Sequence, residues 1–398
     1  MNMDFACKKR YDLLDGLRGV AALMVIVYHC FECFPADTWI IGHGYLAVDF
    51  FFMLSGFVIG YAYDDRWCRT ASENGLSPGG FFKRRLIRLH PMVVLGVVLG
   101  LITFLIGGGT SWSGGKAVPS AIMIAVLLHL FMIPVRPGAA SDVRGNAEMF
   151  PLNGPHWSLF FEYIGNILYA LILHKLPTRI LVVVTSVFAA GFAAFSLCDV
   201  VGCGNIGVGW TLGGWNFMGG LFRMLVPFSM GLLLCRLMHG EPEKRQDIGY
   251  KPVLKPARLH GAFWVSAVLV IVFLAMPALG REHTWINCLY EVACVLFVFP
   301  VIVWLGASGK TTDKISTGIC KFLGEISYPL YAVHYPTMYL FYAYIGFPQI
   351  RRTPEECWPW MVALVIGNIA LAFAALKLYD EPVRRRLSNL HRSDRLKG

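Results

Sequence analysis

LRGVAALMVIVYHCFECF, residues 17–34, is a strongly apolar stretch that carries an arginine near one end and a histidine near the other. Arg18 and His29 are eleven residues apart. In a helix this is close to three turns, so both side chains lie on one face, about 16 Å apart along the axis. Ionisable residues inside a bilayer are costly and mark functional pathways. We therefore predict a membrane helix that carries a polar path part-way through the bilayer.

The composition of the whole chain predicts many such helices. Hydrophobic residues make up 56% of the 398 residues and charged residues only 15%, which is typical of a polytopic membrane protein with short loops. The formal net charge is +10, but the basic residues stand in short loops between apolar segments, as orientation in a membrane requires. The predicted surrounding is therefore a lipid bilayer, and nucleic acid is excluded as a partner.

Eleven apolar segments follow one another along the chain. Each is expected to be helical, because lipid offers the backbone no hydrogen-bond partners. The fourth, which ends before Pro134 and holds His129, has the length of a re-entrant or interfacial piece. The segments are 17–34, 45–63, 91–108, 120–133, 158–173, 178–198, 217–237, 260–279, 286–305, 322–345 and 359–379.

The placement of lysine and arginine predicts the topology. If the fourth segment does not cross and the N-terminus is cytoplasmic, 27 of the 35 Lys and Arg residues fall in cytoplasmic loops. The positive-inside rule then predicts an all-α polytopic membrane protein with ten transmembrane helices and both termini in the cytoplasm. Residues 1–379 form the transmembrane domain, and the basic tail 380–398 lies against anionic headgroups. No cleavable signal peptide is expected. The cytoplasmic loops are 1–18, 64–90, 174–179, 236–258, 306–321 and 380–398.

Three ionisable residues are predicted at nearly the same depth near the outer face. His29 lies five residues from the end of its segment, while Asp49 and Glu162 each lie four residues into theirs. A carboxylate beside a histidine fixes its tautomer and raises its basicity, so Asp49 or Glu162 is a candidate to orient His29 as a general base. The alternative is that Asp49 caps a helix and that Glu162 pairs with an arginine.

A basic cluster is predicted at the inner face. FFKRRLIRLHP, residues 81–91, precedes an apolar span, and its Arg85 and Arg88 share one helical face. Arg18 lies at the same membrane level. Planar guanidinium groups suit phosphate groups well, so a phosphorylated cytosolic ligand is one interpretation. The other is an ordinary membrane anchor of the kind that the positive-inside rule describes.

Other residues leave two interpretations open or argue against a site. His334 is either a functional residue or a structural hydrogen-bonding group at mid-bilayer depth. Ser55 and Gly56 indicate a small-residue packing point between helices. Cys198 and Cys203 form either a disulfide or two free thiols. No metal site is expected, because the eleven cysteines show no CxxC spacing.

Five motifs in order along the chain resemble those of the membrane acyltransferase-3 family, as does the ending. KRRLIRLHP (83–91) is similar to the family's RxxR segment, with His90 where an aromatic residue is more usual. WSLFFE (157–162) resembles its Trp-Ser-Leu-x-x-Glu motif, and LGEISY (323–328) through His334 its late-helix signature. The remaining matches are LDGLRG (14–19) through Tyr28-His29, VDFFFMLSGF (48–57), and Glu381-Pro382 with Arg384-Arg385.

The resemblance implies an enzyme that moves an acyl group, usually acetyl, from acyl-CoA to a hydroxyl of a carbohydrate or other surface molecule. Arg18, Arg85 and Arg88 would bind the phosphates of the donor, with no permanently bound cofactor. His29 would act as a general base or form a transient acyl-imidazole, and Glu162 and Asp49 complete the catalytic candidates. The motifs add four secondary candidates, which are Trp157, Ser158, Tyr328 and His334.

The resemblance also implies a multi-pass protein of a bacterial cell membrane. Some family members carry a fused extracytoplasmic hydrolase-like domain, and we expect none in this chain. Two other classes stay open from the sequence. One is a transporter or flippase of a polar lipid or glycan, which an absence of internal repeats argues against. The other is an inactive structural subunit of a polysaccharide-export complex.

Overall fold

The computed structural model describes residues 11–35, 38–69, 75–241, 252–257, 259, 261–279, 284–311 and 313–397, with 390–397 as backbone only. Parts of the predicted loops 1–18 and 236–258 lie outside these residues. The described chain is helical and contains no β-strand. Its helices are α1 (Asp12–Phe31), α2 (Ala47–Trp67), α3 (Pro78–Ile106), α4 (Pro119–Leu130), α5 (His156–Leu171), α6 (Thr178–Leu197), α7 (Asn216–His239), α8 (Ala262–Ala275), α9 (Thr284–Ala293), α10 (Phe299–Ser308), α11 (Lys314–Ile345), α12 (Pro354–Ala374) and α13 (Glu381–Lys397).

Every predicted apolar segment falls on a helix, but the predicted count of ten spans is not established. Among the described residues, seven helical stretches are long and apolar enough to cross a membrane. α4 and α8 are apolar but shorter, and the 12 residues of α4 reach only about 18 Å. Ten spans and two cytoplasmic termini remain predictions. The seven stretches are Asp12–Phe31, Gly44–Trp67, Pro78–Ile106, Thr178–Leu197, Asn216–His239, Thr284–Ser308 and Pro354–Asn389.

Two helices run on through π-helical turns. Cys294–Val298 joins α9 to α10, and Ala375–Asp380 joins α12 to α13. The basic tail therefore continues the last apolar helix. The predicted division at residue 379 falls within the π-helical turns.

Local sequence sets the start of three helices. The Ser77 side chain accepts a hydrogen bond from the backbone of α3, and the Asp313 side chain accepts one from the backbone of α11. Thr353 and Glu356 form a capping box at the start of α12. These side chains satisfy backbone N–H groups that have no partner inside the helix.

Glycines allow two helix pairs to approach closely. A Cβ at Gly56 of α2 would lie 2.0 Å from the Phe228 carbonyl oxygen of α7, and one at Gly231 of α7 would lie 2.0 Å from that of Met53. Gly19 gives α1 the same close approach to Leu323 of α11. The interpretation of Gly56 as a packing point is confirmed. Larger residues at these positions would push the helices apart.

The connection between α4 and α5 folds into the helical bundle instead of lying on its surface. Met149, Phe150, Leu152 and Asn153 are completely buried. The Asn153 amide donates to the Ala332 carbonyl of α11 at 2.9 Å. Because this segment enters the bundle, α5 begins deep inside the protein, and this depth decides which groups its side chains meet.

Candidate active site

A cavity of about 200 Å³ brings together the predicted arginines Arg18, Arg85 and Arg88. Glu162 also lies in its wall. We call it the basic cavity. The remaining walls are mostly apolar, and those from α2 include Val48, Phe51, Phe52, Val58 and Ile59. The cavity therefore combines cationic groups with a largely apolar wall.

The three arginines differ in their partners. Arg18 donates to Ser327 Oγ at 2.9 Å and forms an ion pair with Asp15 at 2.8 Å. Arg85 is buried and bonds Glu162 at 2.7 Å. Arg88 is exposed to the cavity and has no hydrogen bond or ion pair within the part of the chain that the structure describes. A guanidinium without a protein partner is available to an anionic ligand.

A second cavity, of about 440 Å³, contains His29 and Glu32. We call it the aromatic cavity because ten aromatic side chains line it. It reaches the chain segments 131–155 and 199–215, through Glu148 and Trp210. The aromatic residues are Tyr28, Tyr45, Trp112, Trp157, Trp210, Tyr331, Tyr335, Tyr339, Tyr342 and Phe347.

His29 is held by a carboxylate on the residue that follows its helix. Its Nδ1 lies 2.8 Å from Glu32 Oε2. The other oxygen of Glu32 accepts from Tyr335 at 2.9 Å and from Tyr342 at 2.5 Å. Because an ionised carboxylate only accepts hydrogen bonds, the neutral His29 ring carries its proton on Nδ1. The lone pair then stands on Nε2, as a general base needs.

The prediction that Asp49 or Glu162 orients His29 is wrong. Asp49 is fully buried and forms an ion pair with Arg223 of α7 at 2.6 Å, so it does not cap a helix either. Glu162 bonds Arg85, which was the alternative interpretation. The reason is the deep start of α5, which brings Glu162 to the arginines. Glu32 is the carboxylate that orients His29. Its spacing of three residues from His29 was the signal in the sequence.

The two cavities meet at Val48 and Tyr331, which line both of them. The Tyr331 hydroxyl lies 2.6 Å from Ser158 Oγ, and both hydroxyls bond the carbonyl of Pro155. Trp157 stands in the wall of the aromatic cavity, with the guanidinium of Arg223 5.1 Å from its ring centre. Trp157 thus lines the aromatic cavity and Ser158 lines the basic cavity, so the pair lies at the boundary between them.

His334 and Tyr328 both contribute to the site from α11. His334 is completely buried, stacks on the His29 ring at a centroid distance of 5.3 Å, and bonds the Tyr331 carbonyl at 2.9 Å through Nδ1. Tyr328 lines the basic cavity and donates to the Leu89 carbonyl at 2.5 Å. His334 thus makes a structural hydrogen bond, which was one of its two interpretations, and its ring also stacks on His29.

Glu148 is a cavity residue that the sequence analysis missed. It accepts from Tyr339 at 2.5 Å, and the guanidinium of Arg144 lies 3.5 Å from the Tyr339 ring centre. Burial raises the pKa of the Glu148 carboxyl to about 7, although the Tyr339 hydrogen bond and Arg144 oppose that shift. Glu148 lies between the predicted apolar segments 120–133 and 158–173, so nothing in the sequence placed a buried acid there.

Cys198 and Cys203 carry free thiols and are exposed, so no disulfide joins them. In the described residues, no group of three or more His, Cys, Asp or Glu side chains could hold a metal ion.

These features define a helical membrane protein with a histidine–carboxylate pair in an aromatic cavity that adjoins a cationic one. The model of the acyltransferase-3 family, described as an acyltransferase domain, matches residues 11–377. The chain belongs to this family, and it is a membrane acyltransferase that moves groups other than aminoacyl groups.

Three relatives are similar to this chain, and two of them are named O-acetyltransferases. "Protein 2 in picA locus" of Rhizobium radiobacter is 36% identical over 168 residues, which cover 41% of this chain and 82% of that protein. A "putative O-acetyltransferase" of Staphylococcus aureus strain COL is 23% identical over 380 residues, 94% of this chain and 57% of that protein. The O-acetyltransferase OatA of S. aureus is 38% identical over 91 residues, 23% of this chain and 13% of that protein. No solved structure matches the chain.

Proposed function

We propose that the protein is an O-acetyltransferase that uses acetyl-CoA as donor and a carbohydrate hydroxyl as acceptor. The observation that carries this proposal is the meeting of the two cavities at Val48 and Tyr331. A thioester that enters past the arginines and a hydroxyl that enters among the aromatic rings would meet beside His29. The names of the S. aureus relatives support the acetyl group and the hydroxyl acceptor.

The donor would enter the basic cavity with its phosphates at Arg88. This assignment follows from the free guanidinium, since Arg18 and Arg85 already have protein partners. Those two arginines would add positive charge while they keep Ser327 and Glu162 in place. The apolar wall formed by Phe51, Phe52 and neighbouring residues would accommodate the uncharged pantetheine arm and exclude water, which limits hydrolysis of the thioester.

The reaction needs one proton shuttle. His29 Nε2 takes the proton of the acceptor hydroxyl, and the oxygen attacks the thioester carbonyl carbon. The tetrahedral intermediate collapses as the carbon–sulfur bond breaks, and the thiolate of CoA takes the proton from the imidazolium. The products are the acetyl ester and CoA, and His29 returns to its neutral form. Glu32 stabilises the transient imidazolium, as an acid beside a catalytic histidine does.

An acyl-imidazole route is the second version of this chemistry. In that route His29 Nε2 attacks the thioester and holds the acetyl group until the hydroxyl takes it. A histidine trapped with radiolabelled acetyl in the absence of acceptor would identify it.

The membrane orientation belongs to the same proposal. The basic cavity would face the cytoplasm, where acyl-CoA is made, and the aromatic cavity would face outward to the acceptor. Both termini would then be cytoplasmic and the protein would lie in the cell membrane of a bacterium. The concentration of arginines at the basic cavity supports this orientation.

The test uses the purified protein in phospholipid vesicles. Acetyl-CoA with a radiolabelled acetyl group is supplied on one side, and fragments of peptidoglycan, amylose and chitin are supplied in turn on the other. We expect release of CoA thiol together with glycan-bound label that mild base removes, because oxygen esters are base-labile. His29→Ala protein serves as the matched control.

Two results would contradict the proposal. Glycan that crosses the vesicle without any release of CoA would identify a transporter or flippase instead. CoA release that leaves every glycan unlabelled would show that the acceptor is not a carbohydrate of these kinds.

A further inference from the structure

A third cavity, of about 580 Å³, lies between α3 and the last helix, α13. We call it the α3–α13 cavity. Its charged lining consists of four arginines and one glutamate. The lining residues are Arg84, Ile87 and Arg88 of α3 and Glu381, Arg384, Arg385, Ser388 and Asn389 of α13. So strong an excess of guanidinium groups favours a ligand that carries several negative charges.

The α3–α13 cavity adjoins the basic cavity. Arg88 lines both this cavity and the basic cavity, and it has no hydrogen bond or ion pair among the described residues. Three cavities therefore follow one another, with Arg88 at the first junction and Val48 and Tyr331 at the second. The shared arginine places the α3–α13 cavity next to the basic cavity.

The arginines of α13 are only partly neutralised by their neighbours. Arg384 forms an ion pair with Asp380 at 2.8 Å, but its Nε is buried without a hydrogen-bond partner. Arg385 is 79% exposed and stands 3.5 Å from Glu381. Glu381 is shared, because Lys377 also bonds it at 2.5 Å. The helix therefore keeps donors available for a phosphate.

We infer that the α3–α13 cavity binds the phosphate groups at the nucleotide end of acyl-CoA, with Arg88, Arg384 and Arg385 as ligands. This inference rests on the proposed function, in which the donor is acyl-CoA. The C-terminal helix then becomes part of the donor site and has a role beyond contact with the membrane surface. The phosphate of an anionic lipid shares this chemistry. A CoA phosphate is favoured because Arg88 lines both this cavity and the basic cavity, where the proposed donor binds.

The inference is tested by equilibrium binding, which does not require turnover. Purified protein is titrated with CoA, with dephospho-CoA, which lacks the ribose phosphate, and with pantetheine, which lacks the whole nucleotide end. The Arg384→Gln/Arg385→Gln protein is compared with wild type. Arg386→Gln is the matched control, because Arg386 is an exposed neighbour on α13 that does not line the cavity.

We expect the double variant to bind CoA about 10- to 100-fold more weakly, as loss of hydrogen bonds to charged groups predicts. Its affinity for pantetheine should not change, and Arg386→Gln should match wild type with every ligand. Arg384→Lys, which preserves the charge beside Asp380, separates ligand binding from folding and should lose less affinity than the double variant.

Three outcomes would overturn the inference. They are unchanged CoA affinity in the double variant, an equal loss for CoA and pantetheine, and no binding of CoA by wild type. If the cavity instead holds lipid, the variant would lose binding to phosphatidylglycerol vesicles but keep its affinity for CoA. CoA binding without any acetyl transfer would contradict the proposed function and leave this inference intact.

Discussion

The basic cavity and the aromatic cavity meet at one point but have different chemistry. The first has three arginines and a largely apolar wall, with Glu162 already bound to Arg85. The second has ten aromatic side chains, His29 bonded to Glu32, and the buried acid Glu148. The basic cavity can neutralise the negative charge of a phosphorylated molecule. The other offers flat apolar faces and hydrogen-bonding groups to an uncharged polar one.

This difference fits the proposed function, in which one helical bundle binds two unlike substrates. Under the proposed function, Arg88 would hold the donor phosphates at the basic cavity, whereas Arg223, which lines the aromatic cavity, is already paired with Asp49. His29 lines the aromatic cavity and not the basic one, so the proposed acceptor would meet it there. The variants below test the two cavities separately, and each is paired with a variant that should have a different effect.

Replacement of His29 should have the largest effect. We expect His29→Ala to reduce acetyl transfer by at least about 10²–10⁴-fold, the usual contribution of a general base, while CoA binding is retained. Transfer is measured as base-labile label in vesicles, and CoA binding by titration.

His90→Gln is the control for this variant. His90 lines neither of the two cavities, so its replacement should leave transfer near the wild-type rate. Transfer by a folded His29→Ala protein at the wild-type rate would remove the histidine from the mechanism.

Glu32→Gln should have the next largest effect. The neutral amide cannot stabilise the imidazolium, so we expect kcat to fall by about 10- to 100-fold with little change in the KM for acetyl-CoA. The split between kcat and KM distinguishes a positioning role from a structural one.

Asp49→Asn is the comparison that tests the corrected assignment. It breaks a buried ion pair with Arg223, which should destabilise the protein by about 3–5 kcal/mol. The kcat of the molecules that stay folded should be close to that of wild type. A greater loss of kcat in Asp49→Asn than in Glu32→Gln would return the orienting role to Asp49.

The arginines of the basic cavity should give smaller and unequal effects. Arg88 has no protein partner in the described chain, so we expect Arg88→Ala to raise the KM for acetyl-CoA about tenfold without loss of thermal stability. Arg85→Ala leaves Glu162 without its ion pair and should lower the unfolding temperature as well. If the two variants lowered the unfolding temperature equally, Arg85 and Arg88 could not differ in their ion pairs as the structure shows.

Replacement of Glu148 should have the smallest effect. It should change how the stability of the protein depends on pH. Its pKa in the folded protein is about 7, above the ordinary value of 4.5, because the carboxyl is buried. The folded protein therefore binds this proton more tightly than the unfolded chain does, and stability falls as the pH rises from about 4.5 to 7. Glu148→Gln removes this dependence, so wild type should lose a few degrees of melting temperature relative to the variant between pH 5 and 8. An opposite slope would show that the carboxyl is ionised throughout.

Much of the candidate site could be predicted from local patterns. The spacing of Arg85 and Arg88, the charge cluster near Arg18 and the placement of His29 in a membrane helix all depend on residues close in sequence. The partners of these residues could not be predicted in the same way. Glu162 was expected at the depth of His29, and the inward fold of residues 131–155 moved it to Arg85.

The sequence by itself determined that Arg18 and His29 lie about three turns apart on one side of α1, because the geometry of a helix fixes that distance locally. Only the tertiary structure decided which carboxylate holds each cation and where the cavities meet. Those outcomes depend on the depth at which α5 begins and on contacts between helices that are far apart in the chain. Packing of the whole bundle sets them, and no local spacing in the chain encodes them.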